Sequence, residues 1–392
     1  MDKQFVDSTH GQIGCITCHQ GKNVDDMDQA HKGLVKDPSE EGGGGVCRQC
    51  HEEITSTYKD AMHYNLTGIK DIVATIISPH KMQDTLLPAA WKLDCNECHA
   101  SCGSCHVAWP AVAKGGLLAR HRFEKRPPMD KTCYACHGSR FAGEYMGILT
   151  PVPDVHYEKY QLVCIDCHRG EQLHHTKPAG VKRYYATETP RCEQCHPDTE
   201  PGRSEIPMHN AHPKGTLACT VCHASEYFNC KNCHVSLDVK EAGKITVIFP
   251  SDPLVTFKIG TNIDRSPDNP YKYNLVRHSP MKKDSMASFR YFQAVIQGTP
   301  GPEDLIANYD ALPTWNSASI HNIQRRTRQN SSCNACHGHK ELFLTQDDLE
   351  PTDPAANRKI IVEKIPPRIG SERSGMAEAV KKAKRGKIGA HP

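Results

Sequence analysis

Two short runs carry the clearest pattern of apolar positions in the chain. Lys244–Phe249 (KITVIF) and Leu254–Ile259 (LVTFKI) are rich in β-branched and aromatic residues and are separated by Pro250-Ser251-Asp252-Pro253. That arrangement predicts a β-hairpin or two short strands. Ser285–Gln297 (SMASFRYFQAVIQ) predicts a short helix. Gly42–Gly45 reads as a flexible loop. Met376–Gly386, with Lys381, Lys382, Lys384 and Arg385, reads as a basic helix or a flexible arm. No stretch is long and apolar enough to cross a bilayer.

Composition changes this picture. Only 38% of the 392 residues are hydrophobic, with 9 Phe and 3 Trp, so a conventional core would be thin. The 27 Pro and 28 Gly suit short turns between anchored points. The anchors are the cysteines. All 20 fall in Cys-x-x-Cys pairs, and a histidine follows every pair at once. Cys15 and Cys18 precede His19, Cys47 and Cys50 precede His51, Cys95 and Cys98 precede His99, and Cys102 and Cys105 precede His106. Cys133 and Cys136 precede His137, Cys164 and Cys167 precede His168, and Cys192 and Cys195 precede His196. Cys219 and Cys222 precede His223, Cys230 and Cys233 precede His234, and Cys333 and Cys336 precede His337. Histidine is 24 of 392 residues, so ten of ten by chance is negligible. Disulfides need no histidine after each pair, and zinc ribbons do not include one. Cys-x-x-Cys-His is the attachment signal for haem c, two thiols bonding the vinyl groups and the histidine ligating the iron.

The expected cofactor is therefore haem c, ten per chain. Ten porphyrins would supply the apolar surface that the composition lacks. The fold class expected is mostly irregular, with loops and short helices wrapped around a haem array and a small β-containing insert near residues 244–260. Motif spacing divides the chain into a haem-dense array over 1–237 with nine motifs, a haemless insert over 238–332, and the tenth motif with the basic arm over 333–392. Cys95 and Cys102 begin motifs seven residues apart, and Cys219 and Cys230 eleven apart, so these rings are expected to lie in or near contact.

A six-coordinate haem needs a second axial ligand, the protein's main lever on its potential. Fourteen histidines lie outside the motifs, a surplus that points to bis-histidine ligation rather than to the 10 methionines. The candidates are His10, His31, His63, His121, His156, His174, His209, His212, His278 and His321. His209 and His212 are placed to serve two different haems. His339 is too near His337 to reach over the same ring, His175 adjoins His174, His391 is terminal, and His80 has no clear assignment.

The formal charge of +3 is misleading on this reading, because the two propionates of each haem outweigh one ferric charge. Lysines and arginines are expected to pair with propionates, and no nucleic-acid surface is expected. No leader is visible after Met1-Asp2-Lys3. Because haem c is attached outside the cytoplasmic membrane, the chain is expected to be exported with its leader removed, to the extracellular space or cell surface, the periplasm being the alternative.

The ten sites, the stretch Cys95-Asn96-Glu97-Cys98-His99-Ala100-Ser101-Cys102-Gly103-Ser104-Cys105-His106, Ala135-Cys136-His137-Gly138-Ser139-Arg140, and Leu312-Pro313-Thr314-Trp315 followed by Ile320-His321-Asn322-Ile323 resemble stretches of multihaem c-type cytochromes of metal-reducing bacteria. That resemblance implies electron transfer to other redox proteins and extracellular acceptors. Some members of the group polymerise into filaments in which a histidine of one subunit ligates a haem of the next. Self-association is thus an expectation for this chain, with His10 the first candidate for such a lent ligand. The competing expectation is a reductase of nitrite, hydroxylamine or sulfur oxyanions. Such enzymes keep one iron open, often at a motif ending in Lys, and no motif here departs from Cys-x-x-Cys-His.

Overall fold

A computed structural model describes residues 3–40, 44–76, 100–110, 113–138, 141–148, 150–174, 189–229, 236–241, 244–248, 255–266, 269–279 and 308–370. The third and ninth motifs, His80, His175, His391, the expected helix at 285–297 and the basic arm lie outside the described residues. The described chain is mostly short helices and loops, with small antiparallel sheets. It divides into two compact units. The first comprises 1–71, 89–139 and 163–189, and the second 72–88, 140–162 and 190–392. The expected boundaries at 237/238 and 332/333 both fall inside the second unit.

Each described motif builds one helical turn. Cys15–His19, Cys102–His106, Cys133–His137, Cys164–Cys167, Cys192–Cys195 and Cys219–His223 are α-helical. Gly45–Gln49 and Cys333–Ala335 are 3-10 turns. The spacing explains this, because residues three apart share a helix face. Both cysteines then point the same way, while the following histidine N–H closes the turn on the first cysteine's carbonyl. His51, His168, His196 and His337 do so at 2.9, 2.8, 2.8 and 3.0 Å.

In the first unit a polar clamp sets where two of these turns lie. The Ser39 and Ser101 hydroxyls donate to the two Asp37 oxygens at 2.6 and 2.7 Å. Ser39 Oγ in turn accepts the Gly103 N–H at 2.7 Å. The residues just before the second motif are thereby tied to the start of the fourth. Gly45, expected to be merely flexible, is required here. Its φ is +48°, and a Cβ would sit 1.9 Å from the Pro38 carbonyl oxygen. Val46 N–H reaches that same carbonyl at 2.8 Å. The unit buries few apolar side chains, Tyr58, Ala61 and Leu66 among them. The Tyr58 hydroxyl donates to Ala100 O at 2.6 Å.

The second unit has a core of ordinary kind. Its sheet has the order β5 (Ile259–Thr261), β6 (Tyr273–His278), β7 (Trp315–Ser317), all antiparallel. Ile259 faces Leu275 across the first pair, and His278 faces Trp315 across the second. Tyr227, Ile259, Leu275, Phe343 and Val362 pack in one buried cluster, and Val276, Trp315, Leu344 and Ile360 in another. Burying one such side chain stabilises by about 1.5–3 kcal/mol. Backbone bonds add the 343–362 region to the sheet, Leu344 N–H to Ile259 O at 2.8 Å and Thr261 N–H to Ile360 O at 2.7 Å.

A buried ion pair crosses this core. Arg277 Nη1 lies 2.8 Å from Glu144 Oε1, with the side chains 5% and 0% exposed, and the guanidinium sits 5.3 Å over the Tyr227 ring. Tyr227's own hydroxyl donates to Val276 O at 2.6 Å.

The two apolar runs do not pair with each other. β3 (Lys244–Ile248) pairs with β2 (Ser236–Glu241), which precedes it by two residues, the length of a tight hairpin. β4 (Val255–Thr256) pairs instead with β1 (Tyr227–Phe228), and Ile259 begins β5. The alternative of two separate strands therefore describes this region, and the hairpin between the runs does not. Two residues make a closer turn than the proline-bounded PSDP stretch, so the nearer partner wins.

Candidate functional site

Seven histidines that end motifs face a histidine from outside the motifs at nearly one distance. In the first unit the ring centroids of His51 and His10 are 6.1 Å apart, His19 and His121 6.1 Å, His106 and His174 6.1 Å, and His137 and His63 6.2 Å. In the second unit His196 and His156 are 6.1 Å apart, His223 and His209 5.9 Å, and His337 and His212 6.1 Å. Their interplanar angles range from 21° to 84°, so ring stacking does not set the spacing. An imidazole nitrogen lies roughly 1.2 Å from the ring centroid and binds a first-row metal at about 2.0 Å, so two imidazoles sharing one ion would stand about 6.4 Å apart.

Tautomers fit the same geometry. The Nδ1–H groups of His19, His106, His223 and His337 donate to the carbonyls of Val35, Glu124, Gln324 and Pro367 at 2.7, 2.7, 3.1 and 3.1 Å. A carbonyl only accepts, so Nδ1 carries the proton and Nε2 keeps a lone pair for a metal. His168 Nδ1 makes a 2.9 Å contact with Gln172 Oε1. Burial, and then the facing ring, hold His10, His121, His174 and His209 below the usual protonation range. His63, lowered by burial and then by His168, behaves alike. These are neutral imidazoles, the form that ligates.

His156 differs. Its Nδ1 lies 2.8 Å from Asp154 Oδ1, and that hydrogen bond raises its affinity for a proton. Asp154 is 2% exposed and also accepts the His156 and Ile323 backbone N–H groups at 2.8 and 2.7 Å. Sequence reasoning missed this residue. The signal was present as Asp-x-His at a helix start, Asp154 being the N-cap of Val155–Tyr160. The four carbonyl acceptors had no sequence signal.

The remaining candidates are placed as follows. His31 is exposed at the end of the turn Met27–Ala30. His278 stacks on Trp315 at 4.6 Å, and its backbone N–H donates to Asn229, the residue before Cys230. His321 lies 5.1 Å from the Phe141 ring and donates to Ser319 O. His339 turns to Glu341 at 2.7 Å.

The motifs also meet one another. The thiols of Cys47 and Cys102, of Cys133 and Cys164, and of Cys192 and Cys219 are neighbours. Cys102 draws the Cys47 thiol down to about 7 and is itself pushed up by it. Cys164 likewise draws Cys133 down to about 6.

Among the described residues no three His, Cys, Asp or Glu side chains converge on one point. Each of these places thus brings together two imidazoles. No family model matches the chain, and no curated protein or solved structure is detectably similar to it.

Proposed function

We propose that this chain is a multihaem c-type cytochrome that conducts electrons through ten covalently held haems. The observation that carries the reading is the set of seven histidine pairs at 5.9–6.2 Å, each joining a motif's histidine to one outside the motifs. Two trans imidazoles close an iron's coordination sphere, the arrangement of an electron carrier rather than of a substrate site. The closeness of thiols of different motifs supports close packing of the attached rings. Six of the ten motifs fall in the first unit, where apolar side chains most lack protein to pack on.

The chain's own residues supply the thioether sulfurs, hold each Nε2 toward the iron and fix the ring tautomer. Its partners would be redox proteins and extracellular acceptors, and it would act outside the cytoplasmic membrane. No described helix is long and apolar enough to span a membrane. Within its own chain the His10 ring lies 6.1 Å from that of His51 and stacks on Phe123 at 3.9 Å.

Intact mass and electron paramagnetic resonance test the proposal. The mature protein should carry ten haems that survive denaturation, with low-spin ferric signals. His121→Ala should add a high-spin signal from the His19 centre alone. A mass without haem overturns the reading, and a strong high-spin signal that moves on adding nitrite turns it toward a reductase.

A further inference from the structure

We infer that Asp154 sets the potential of one centre, the one held by His156 and His196, and makes it the hardest to reduce among those whose ligand contacts are described. The inference rests on the haem reading above and deepens it. Asp154 is a positioning residue, since it acts through His156.

Chemistry at Nδ1 distinguishes this centre. His19, His106, His223 and His337 donate to neutral backbone carbonyls. His168 meets a neutral amide, and His209 meets the Ser204 hydroxyl at 3.3 Å. His156 meets a carboxylate at 2.8 Å. A charged acceptor roughly doubles the strength of a hydrogen bond, and a carboxylate behind a ligating imidazole raises its basicity. With haem bound, the ring would be a stronger donor at Nε2 and would favour the ferric over the ferrous ion. His156 would keep its Nδ1 proton, and the Asp154 carboxylate would oppose the negative charge that an added electron brings.

The geometry is built rather than incidental. Asp154 is 2% exposed, so water screens it little. Its two oxygens are fixed by the His156 and Ile323 N–H groups, and Val155 N–H returns a 2.9 Å bond to Ile323 O. The carboxylate therefore cannot swing away from the ring without breaking two backbone bonds. Cys192, in the same motif as His196, neighbours Cys219 of the next motif in the second unit. An electron passing between haems held there would meet a step in potential at this position.

The test is a redox titration of the ten-haem protein at one fixed pH, followed optically and by electron paramagnetic resonance. Asp154→Asn removes the charge. Asp154→Ser also removes it while keeping a good helix N-cap. In both variants one step, that of the His156–His196 centre, should rise by at least about 59 mV, a tenfold change for a one-electron couple, and the others should stay in place. If either variant carries ten low-spin haems and no step rises, the inference is wrong. A second measurement needs no variant. The redox-difference infrared spectrum of the unmodified protein should contain carboxylate bands that shift on carbon-13 labelling of aspartate, and absence of such bands overturns the inference. If the protein carries no haem, the intact mass shows it first, and the proposed function fails instead.

Discussion

The two units solve the problem of cohesion differently. The second packs Tyr227, Ile259, Leu275, Leu344 and Ile360 around a three-stranded sheet, each at most 2% exposed. The first leaves Val6, Ile13, Ile16, Val24, Met27, Leu34, Ile54, Met62, Trp109, Leu117 and Phe123 more than a third exposed. The second exposes Ile148, Val152, Tyr160, Ile206 and Ile263 to a similar degree, a shorter list. In the first unit His51, His19, His106 and His137 each face a second histidine where few apolar side chains are buried. In the second a packed core is present, and His156, His209, His212, His223 and His337 are half-buried.

The sharpest way to break that contrast is to withhold haem attachment. Protein made without it should keep slow amide exchange at Leu275, Val276 and Leu344 and lose protection throughout 3–71 and 113–138. Equal loss in both units would erase the distinction. Next in size is the buried pair. Glu144→Gln leaves the Arg277 charge without its counter-ion and should cost about 3–5 kcal/mol in the second unit's unfolding free energy. Replacing both partners by apolar residues should recover most of it in denaturant melts. Leu344→Ala should cost about 2–5 kcal/mol by opening a cavity, while Ile16→Ala should cost little in haem-free protein. The smallest effect expected is at a cap. Ser101 Oγ accepts the Ser104 N–H at 3.1 Å, so Ser101→Ala should cost about 1 kcal/mol, with an added loss from the Asp37 clamp.

What could be read beforehand divides along similar lines. The one-turn helices were implicit in Cys-x-x-Cys-His, because three-residue spacing and an immediately following histidine are local facts. The surplus of histidines was legible as composition, but the partner of each was not. His121 meets His19 and His212 meets His337 across long stretches of chain, and such pairing is decided by packing that no local window contains. The strand content near 244–260 was visible in its β-branched residues. Its pairing was not, since β2 (SLDVKE) shows a weaker apolar pattern than the run at 254–259 and wins by proximity alone. Asp154 was hidden for another reason. An aspartate at a helix N-cap is commonplace, and only the fold reveals that its second task is to face an imidazole.

The neighbouring thiols of Cys47 and Cys102 have a consequence for how such a molecule is made. Cys102 beside it draws the Cys47 thiol down to about 7, and the thiolate is a thiol's reactive form. Were these sulfurs to meet before haem capped them, any oxidant could join them and leave two attachment sites sterile.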